Sequence, residues 1–259
     1  VSSADFILLG ENPDDNAGFS LAGAGDVDGD GLDDLLVGAR YSATGGLYAG
    51  AVYVVLGAQL IDPGPVALAD ATCKLIGEEV SDYAGLSVAS AGDLDGDGRA
   101  DVLVGAPGQD RGGPESGAVY GVWATQLVDC GQRDLSDADF VLYGEAEGDG
   151  VGGSMESLPD LNGDGVREVV VGVARQDASA NDAGAVYLVS GGNLREGGEF
   201  SLSSAMHRWL GEAENDSAGL SVAAVGDRDG DGFQELVIGA SGDDSFGESS
   251  GSVYIISDR

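Results

Sequence analysis

Short apolar segments separated by glycine-rich and acidic loops make up almost the whole chain. Most segments hold four to six residues and are rich in β-branched and aromatic side chains, as in residues 35–39 and 50–55. None carries apolar residues at the sustained 3.6-residue spacing of an amphipathic helix. Glycine, aspartate or proline bounds each one, which is typical of β-strands joined by tight turns. The pattern predicts an all-β fold.

The segments recur with a period of 67 residues, marked most clearly by acidic loops that begin at Asp26, Asp93, Asp160 and Asp227. Each period contains four strand-like segments. Four strands per repeat in a fixed-period array predict a β-propeller, here with four blades of four antiparallel strands. The blades are expected at residues 18–77, 85–144, 152–211 and 219–257 plus 4–10, within one domain spanning residues 1–259.

Ring closure is expected because four periods slightly exceed the 259 residues of the chain. The deficit falls between the last tyrosine-containing strand and the strand around Phe6. The N-terminal strand is therefore expected to complete the last blade, which leaves no unpaired blade edge. A closed ring would be a monomer. The alternatives are an open fragment of a larger ring and an arc that dimerises.

Charge and cysteine content narrow the function. The net charge of −35 argues against a nucleic-acid partner, which needs Lys and Arg to displace counterions. The chain contains no run of 18 apolar residues, so its sequence predicts no membrane-spanning helix. The chain begins at Val1 without an apolar leader, so any signal peptide is expected to have been removed or never present. Cys73 and Cys130 would form one bridge or remain two buried thiols, and the sequence leaves both open.

The acidic loops are the candidate chemistry. Ca²⁺ takes six to eight oxygen ligands, and carboxylates at positions 1, 3, 5 and 9 with the carbonyl of position 7 would supply them. A glycine at position 6 allows the sharp turn. The predicted ligands are Asp26, Asp28, Asp30, the Leu32 carbonyl and Asp34; Asp93, Asp95, Asp97, the Arg99 carbonyl and Asp101; Asp160, Asn162, Asp164, the Val166 carbonyl and Glu168; and Asp227, Asp229, Asp231, the Phe233 carbonyl and Glu235.

Other readings of these loops fit less well. An EF-hand needs Glu at position 12 between helices, whereas position 12 here is Val or Ile inside a strand-like segment. Mg²⁺ demands strict octahedral geometry, and Zn²⁺ would need Cys or His ligands. The acidic loops could also be plain Asp-Gly hairpin turns, but such turns would not explain why four acidic loops recur at the same offset. Up to four Ca²⁺ ions are therefore expected, bound most weakly in the third loop, where Asn162 removes one negative charge.

The repeats resemble the FG-GAP repeats of integrin α-chain propellers. The GAP element stands as Val104-Gly105-Ala106-Pro107, and more loosely at residues 37–40 and 238–241; the FG element is degenerate at Gly18-Phe19, Gly85-Leu86 and Gly219-Leu220. The resemblance implies calcium loops between the first two strands of each blade and ligand-binding loops on the opposite face. Integrin propellers are rings of seven blades, whereas this chain has four repeats, so the ligand specificity of integrins is not expected here.

Two functions follow, neither enzymatic. The first is a secreted or periplasmic interaction or adhesion module that binds a protein or glycan through loops such as residues 41–49 and 108–116. The second is a structural repeat whose calcium only braces the blades. His207, the single histidine, is expected to pack in an outer strand, and Glu156 to face channel water rather than bind a ligand. A carboxylate-based enzyme acting on polysaccharides is the distant alternative.

Overall fold

The computed structural model describes residues 4–230 and 234–257, and these form short strands joined by turns. The strands are β1 (Phe6–Leu9), β2 (Ser20–Gly25), β3 (Asp34–Ala39), β4 (Ala51–Val55), β5 (Gly64–Ala67), β6 (Cys73–Ile76), β7 (Ser87–Gly92), β8 (Asp101–Ala106), β9 (Ala118–Val122), β10 (Gly131–Asp134), β11 (Phe140–Tyr143), β12 (Ser154–Leu158), β13 (Glu168–Val173), β14 (Ala185–Val189), β15 (Gly198–Ser201), β16 (His207–Leu210), β17 (Ala218–Val225), β18 (Glu235–Ala240) and β19 (Ser252–Ile256). The α-helix α1 (Gly191–Leu194) is a single turn, and 3₁₀ turns cover Gly57–Leu60, Leu68–Asp70, Ala124–Gln126, Leu135–Asp137 and Leu202–Ser204. The all-β prediction is confirmed.

The chain divides into two compact units. One contains residues 1–104 and 120–139, and the other contains residues 105–119 and 140–259. The division falls within the second repeat. No described helix has the length and apolar character needed to cross a membrane.

The first unit contains a five-stranded sheet in the order β10-β6-β4-β3-β2. The strands β2, β3, β4 and β6 pair in antiparallel fashion, and these are the four segments expected for the first blade. All five residues of β4 are buried, because the strand is central and both of its faces are covered. Its core contains Tyr53 and Val55 together with Val37 and Leu68, and Leu8 of β1 packs against it.

The prediction of four antiparallel strands per sheet is wrong at the outer edge, where an additional strand pairs in parallel. β10 runs beside β6, and in the same way β5 pairs with β1 and β15 with β11. These added strands have sequences such as Gly131-Gln132-Arg133-Asp134. Such a segment has no apolar alternation because it only adds backbone hydrogen bonds to an exposed edge, so its sequence did not predict a strand.

The second unit contains two further antiparallel sheets, in the orders β12-β13-β14-β16 and β17-β18-β19. They share one hydrophobic core. Val170, Val186 and Leu188 of the first sheet cluster with Leu236 and Ile238 of the second. Apolar strands are thus buried on both faces, as stacking of successive repeats requires.

Pairs of glycines allow neighbouring repeats to approach closely. A Cβ added to Gly38 would lie 2.2 Å from the carbonyl oxygen of Gly85, and one added to Gly172 would lie 2.1 Å from that of Gly219. The hydroxyl of Ser20 donates to the Gly85 carbonyl at 2.8 Å. The glycines of the GAP-like and FG-like segments in consecutive repeats therefore contact each other, and this contact tolerates no side chain.

The open question about the cysteines is settled in favour of a disulfide. Cys73 and Cys130 are bonded, with their Cα atoms 5.0 Å apart. The bond joins β6 to the residue before β10, so it fastens the fifth strand to its sheet. A disulfide is typical of proteins from oxidising compartments.

A buried cation supports the N-terminal segment of the first unit. Lys74, the only lysine in the chain, is buried with its Nζ 2.5 Å from Oε2 of Glu11 and 2.7 Å from the hydroxyl of Thr44. The hydroxyl of Tyr53 donates to the same glutamate oxygen at 2.8 Å. The hydrogen bond from Lys74 lowers the pKa of Glu11, and burial raises the pKa of Tyr53. In the second unit, Arg208 and Glu145 form the corresponding ion pair.

Candidate metal centres

The first aspartate folds the turn in each of the first three acidic loops. Oδ1 of Asp26 accepts from the amide of Gly29 at 2.7 Å, and Oδ2 accepts from the amide of Gly31 at 2.9 Å. Both glycines have positive φ, 80° and 89°, which explains the Gly-x-Gly spacing. Asp93 and Asp160 make the same two bonds in their own loops. A turn closed by the side chain of the first aspartate therefore directs the later carboxylates inward.

The residues at positions 3 and 5 support the turn in the same way. Oδ1 of Asp28 accepts from the amide of Asp30 at 3.0 Å, and Oδ1 of Asp30 accepts from the amide of Leu32 at 2.7 Å. Such side-chain to backbone bonds two residues apart are Asx turns. They leave the second oxygen of each carboxylate available for another partner.

Position 9 has a structural role that the sequence did not predict. The Asp34 side chain is buried and accepts from the amide of Val27 through Oδ2 and from the amide of Gly57 through Oδ1, both at 2.8 Å. Asp101 repeats this arrangement with the amides of Leu94 and Ala124, also at 2.8 Å. Position 9 thus joins the loop to the segment after the third strand of its repeat.

Burial of these carboxylates is electrostatically unfavourable without a cation. Desolvation is the largest cause that raises the pKa of Asp34 and Glu168, and it raises the pKa of Asp101 to about 7. Neighbouring loop aspartates raise each pKa further. A bound divalent cation would counteract both effects.

Three acids in each loop approach closely enough to share one ion. Their ligand oxygens lie within 4.8 Å of one another in the groups Asp26, Asp28, Asp34; Asp93, Asp95, Asp101; Asp160, Asp164, Glu168; and Asp227, Asp229, Glu235. Positions 1, 3 and 9 therefore meet in three of the loops. Asp30 and Asp97 at position 5 stand outside the groups. Asp231 and Phe233 lie outside the described residues, and the ligand roles of the Leu32, Arg99 and Val166 carbonyls stay predictions.

The third loop is organised differently by Asn162. Its Oδ1 accepts from the amide of Asp164 at 2.8 Å, so its Nδ2 faces the carboxylates. Nδ2 donates to Asp164 at 2.9 Å, to Glu168 at 2.8 Å and to the hydroxyl of Ser190 at 3.3 Å. The amide of Val166 and the Asn162 side chain lower the pKa of Asp164. The sequence identified Asn162 only as a lost charge; it is also a hydrogen-bond donor to two carboxylates.

The donor set fits a hard cation. All candidate side-chain ligands except Asn162 are carboxylates. In the described structure, no basic side chain pairs with the carboxylates of the first three groups. Carboxylates clustered in this way repel one another, and oxygen-only ligands suit Ca²⁺ rather than Zn²⁺.

The other residues singled out in the sequence do not form a second centre. His207 lies in the outer strand β16, as expected; its ring is exposed and packs edge-on against Trp209, with centroids 4.4 Å apart. Glu156 lies on β12 opposite Val170, and its carboxylate accepts from the amide of Ser157.

Comparison with known proteins agrees with the repeat seen in sequence and structure. The FG-GAP repeat family matches residues 17–55, 84–122, 151–189 and 218–256, each covering β-strands around one acidic loop. Integrin alpha-5 of Xenopus laevis is 30% identical over 231 residues, 88% of this chain and 20% of the relative. Integrin alpha pat-2 of Caenorhabditis elegans is 28% identical over 242 residues, 87% of this chain and 18% of the relative.

Integrin alpha-V of Gallus gallus is similar to the same extent, 28% identical over 236 residues that make up 90% of this chain and 21% of the relative. The chain thus spans about a fifth of the length of these relatives. Four family matches cover more than half of its residues. The chain belongs to the FG-GAP repeat family and is similar to integrin α chains.

Proposed function

We propose that this chain is a calcium-stabilised propeller that acts as an extracellular interaction or adhesion module. The observation that carries the calcium part is the recurrence of three acids with ligand oxygens within 4.8 Å in all four repeats. One such cluster on a surface is common. Four at equivalent positions, each between the first two strands of its repeat, indicate a shared ligand.

In each loop the proposed ligands are the residues at positions 1, 3, 5 and 9 and the carbonyl at position 7. Asp30 and Asp97 would enter the coordination sphere as the loop tightens around the ion, or bind through water. Asn162 would offer its Oδ1 only after its amide group turns away from Asp164 and Glu168. The third site is therefore expected to be the weakest of four.

The proposed architecture is a ring of four blades, at residues 18–77, 85–144, 152–211 and 219–257 plus 4–10. Its support is the equivalence of β1 with β6 and β11 in the 67-residue repeat. Each of these strands pairs in parallel with a fifth strand, and β6 is the fourth strand of a blade. β1 with β5 would accordingly be the outer pair of the fourth blade.

The glycine contacts between repeats give the closed ring a specific expectation. Gly85 and Gly219 pack against the glycine of the preceding repeat. In a closed ring Gly18 would be expected to pack against Gly239 in the same way, whereas in an open arc another chain or further repeats would cover both glycines.

An interaction role is favoured over a purely structural one by the loops opposite the calcium sites. β2 and β3 are antiparallel, so the β3–β4 loop lies at the end of the sheet away from the acidic loop. That loop carries two aromatic side chains in contact with each other, Tyr41 and Tyr48. The relatives are named integrin α chains, and the disulfide fits an oxidising, extracellular or periplasmic setting.

Solution mass measured together with metal content tests this proposal. A closed ring predicts a monomer of about the 25.9 kDa chain mass, with up to four calcium ions per chain after dialysis against millimolar calcium. A dimer would favour the arc. Protein that retains no calcium under these conditions would contradict the proposed function.

A further inference from the structure

Three tyrosine rings meet in the first unit, at the end of the sheet opposite the acidic loop. Tyr41 and Tyr48 belong to the β3–β4 loop and Tyr83 precedes β7; we call them the tyrosine cluster. The ring centroid of Tyr41 is 5.2 Å from that of Tyr48 and 6.1 Å from that of Tyr83. The centroids of Tyr48 and Tyr83 are 6.2 Å apart, and the two rings are nearly parallel, with 18° between their planes.

The backbone beneath the cluster does not require tyrosine. The amide of Tyr83 donates to the carbonyl of Tyr48 at 3.0 Å. The same bond joins Gly150 to Glu115 at 3.1 Å and Ser217 to Asp182 at 3.0 Å in later repeats. Small or polar residues therefore maintain an identical contact between loops elsewhere in the chain.

Tyrosine is moreover costly at these two positions. Tyr48 and Tyr83 have left-handed backbones, with φ of 60° and 57°. The equivalent residues Asp182 and Ser217 have φ of 49° and 54°. Asp and Asn adopt this region more readily than an aromatic residue does, so each tyrosine carries local strain. Strain at two adjacent aromatic residues that are not needed for the loop contact points to a binding role.

The cluster is open to solvent and bordered by apolar side chains. Tyr48 is 42% exposed, Leu47 is 59% exposed and Val80 is 62% exposed. The amide of Ser81 holds the two loops together through the carbonyl of Leu47, at 3.0 Å. Apolar and aromatic side chains that are exposed side by side are typical of interaction sites.

The surrounding charges restrict the ligand. The guanidinium of Arg40 already covers the rings of Phe19 and Tyr41, 3.6 and 4.4 Å from their centroids, and has no carboxylate partner in the described structure. It occupies the place of a cationic ligand and would repel a second cation. The net charge of −35 opposes an anionic polymer. A neutral ligand remains.

Tyrosine offers a flat apolar ring with a hydroxyl at its edge, which suits a ligand that is apolar on one face and hydroxylated around its rim. A hexopyranose ring has this character. We propose that the tyrosine cluster binds a neutral glycan by stacking pyranose rings on Tyr48 and Tyr83, with Arg40 and the phenolic hydroxyls bonding to sugar hydroxyls. This inference rests on the interaction half of the proposed function and not on its calcium sites.

The test is titration of the full chain, in calcium, with neutral hexasaccharides of β-linked glucose and of mannose, followed by calorimetry and tyrosine fluorescence. Binding of at least one of them is expected. The double variant Tyr48→Asp, Tyr83→Ser installs the residues that the third repeat uses on the same backbone. It should fold with an unchanged or higher melting temperature and bind the sugar at least tenfold more weakly.

Phe246→Ser is the matched control, because Phe246 is a 92% exposed aromatic residue in the corresponding loop of the fourth repeat. This variant should bind like the wild type. The inference is overturned if neither hexasaccharide binds, if the double variant binds as well as wild type, or if tetramethylammonium displaces the sugar. A melting temperature that responds to EDTA while no sugar binds would leave the calcium proposal intact.

Discussion

The second and third acidic loops share a backbone but balance their negative charge in different ways. In the second loop the buried Asp101 bonds to the amides of Leu94 and Ala124, and Asp95 stands beside it as a further carboxylate. In the third loop the amide of Asn162 donates to both Asp164 and Glu168. The side-chain amide of Asn162 therefore compensates part of the negative charge in the third loop, whereas in the second loop a cation would do so. Loops of one repeat family need not depend equally on metal.

Removing metal from the whole protein should lower its stability more than any single substitution. A site held at 100 times its Kd contributes about 2.7 kcal/mol to stability. Loss of three tight sites by EDTA should lower the Tm by roughly 15 °C or more for a chain of this size. Calorimetry with and without millimolar calcium measures this shift. If both samples melt at the same temperature, calcium does not brace the fold.

Replacing the position 9 acid with alanine should cost the second loop more stability than the third when EDTA has removed the metal. Asp101→Ala leaves the backbone amides of Leu94, Ala124 and Asp95 without this acceptor, at a cost of roughly 1–3 kcal/mol for each buried amide. Glu168→Ala leaves the amides of Leu161 and Asn162 without this acceptor, but Asn162 is exposed, so its amide and its side chain can turn to water. Urea unfolding should show the larger loss for Asp101→Ala. Equal losses would mean that Asn162 does not compensate the third loop.

Exchanging the position 3 residues, Asn162 and Asp95, should exchange how strongly the stability of each loop depends on calcium. In EDTA, Asn162→Asp removes two hydrogen bonds to carboxylates and adds a charge, so it should destabilise by roughly 1–2 kcal/mol. Asp95→Asn should be stabilising or neutral. In calcium the order should invert, because each exchange also alters the charge available to the ion. Glu214→Gln, at an exposed acid outside the loops, is the control and should behave alike in both conditions.

The pH dependence of the calcium-free protein reports the burial of the second loop's position 9 acid. The pKa of Asp101 rises from 3.8 to about 7 on folding. The folded state therefore binds the extra proton, and stability increases as the pH falls from about 8 toward 5. The Tm in EDTA should rise over this interval, and calcium should flatten the profile by holding Asp101 ionised. A Tm that falls between pH 8 and about pH 5 would contradict the assigned burial effect.

The acidic loops and the strands on either side of them could be predicted from sequence because they recur in every repeat. Asp26 and its three equivalents recur with the same glycines, so the loop turn and its place between two strands could be predicted. The family followed from the same residues. The strands of the blades were predictable because β-branched segments at a constant offset bury both faces.

The remainder depends on contacts between distant residues. The bond between Cys73 and Cys130 required the positions of two strands, and the parallel strand β10 carries no apolar signal. Position 9 looked like a ligand only, since Gly57 and Ala124 are 23 residues away from the acids that accept from their amides. The tyrosine cluster was foreseen only as a loop, residues 41–49, because Tyr83 belongs to the next repeat.

Calcium titration of the metal-free protein, followed by native mass spectrometry, measures how many ions bind and how tightly each is held. Three ions are expected to bind together and a fourth at least tenfold more weakly, and Asn162→Asp is expected to bring the fourth ion into the first group. Four equivalent ions in the wild-type protein, or none at millimolar calcium, would contradict this expectation.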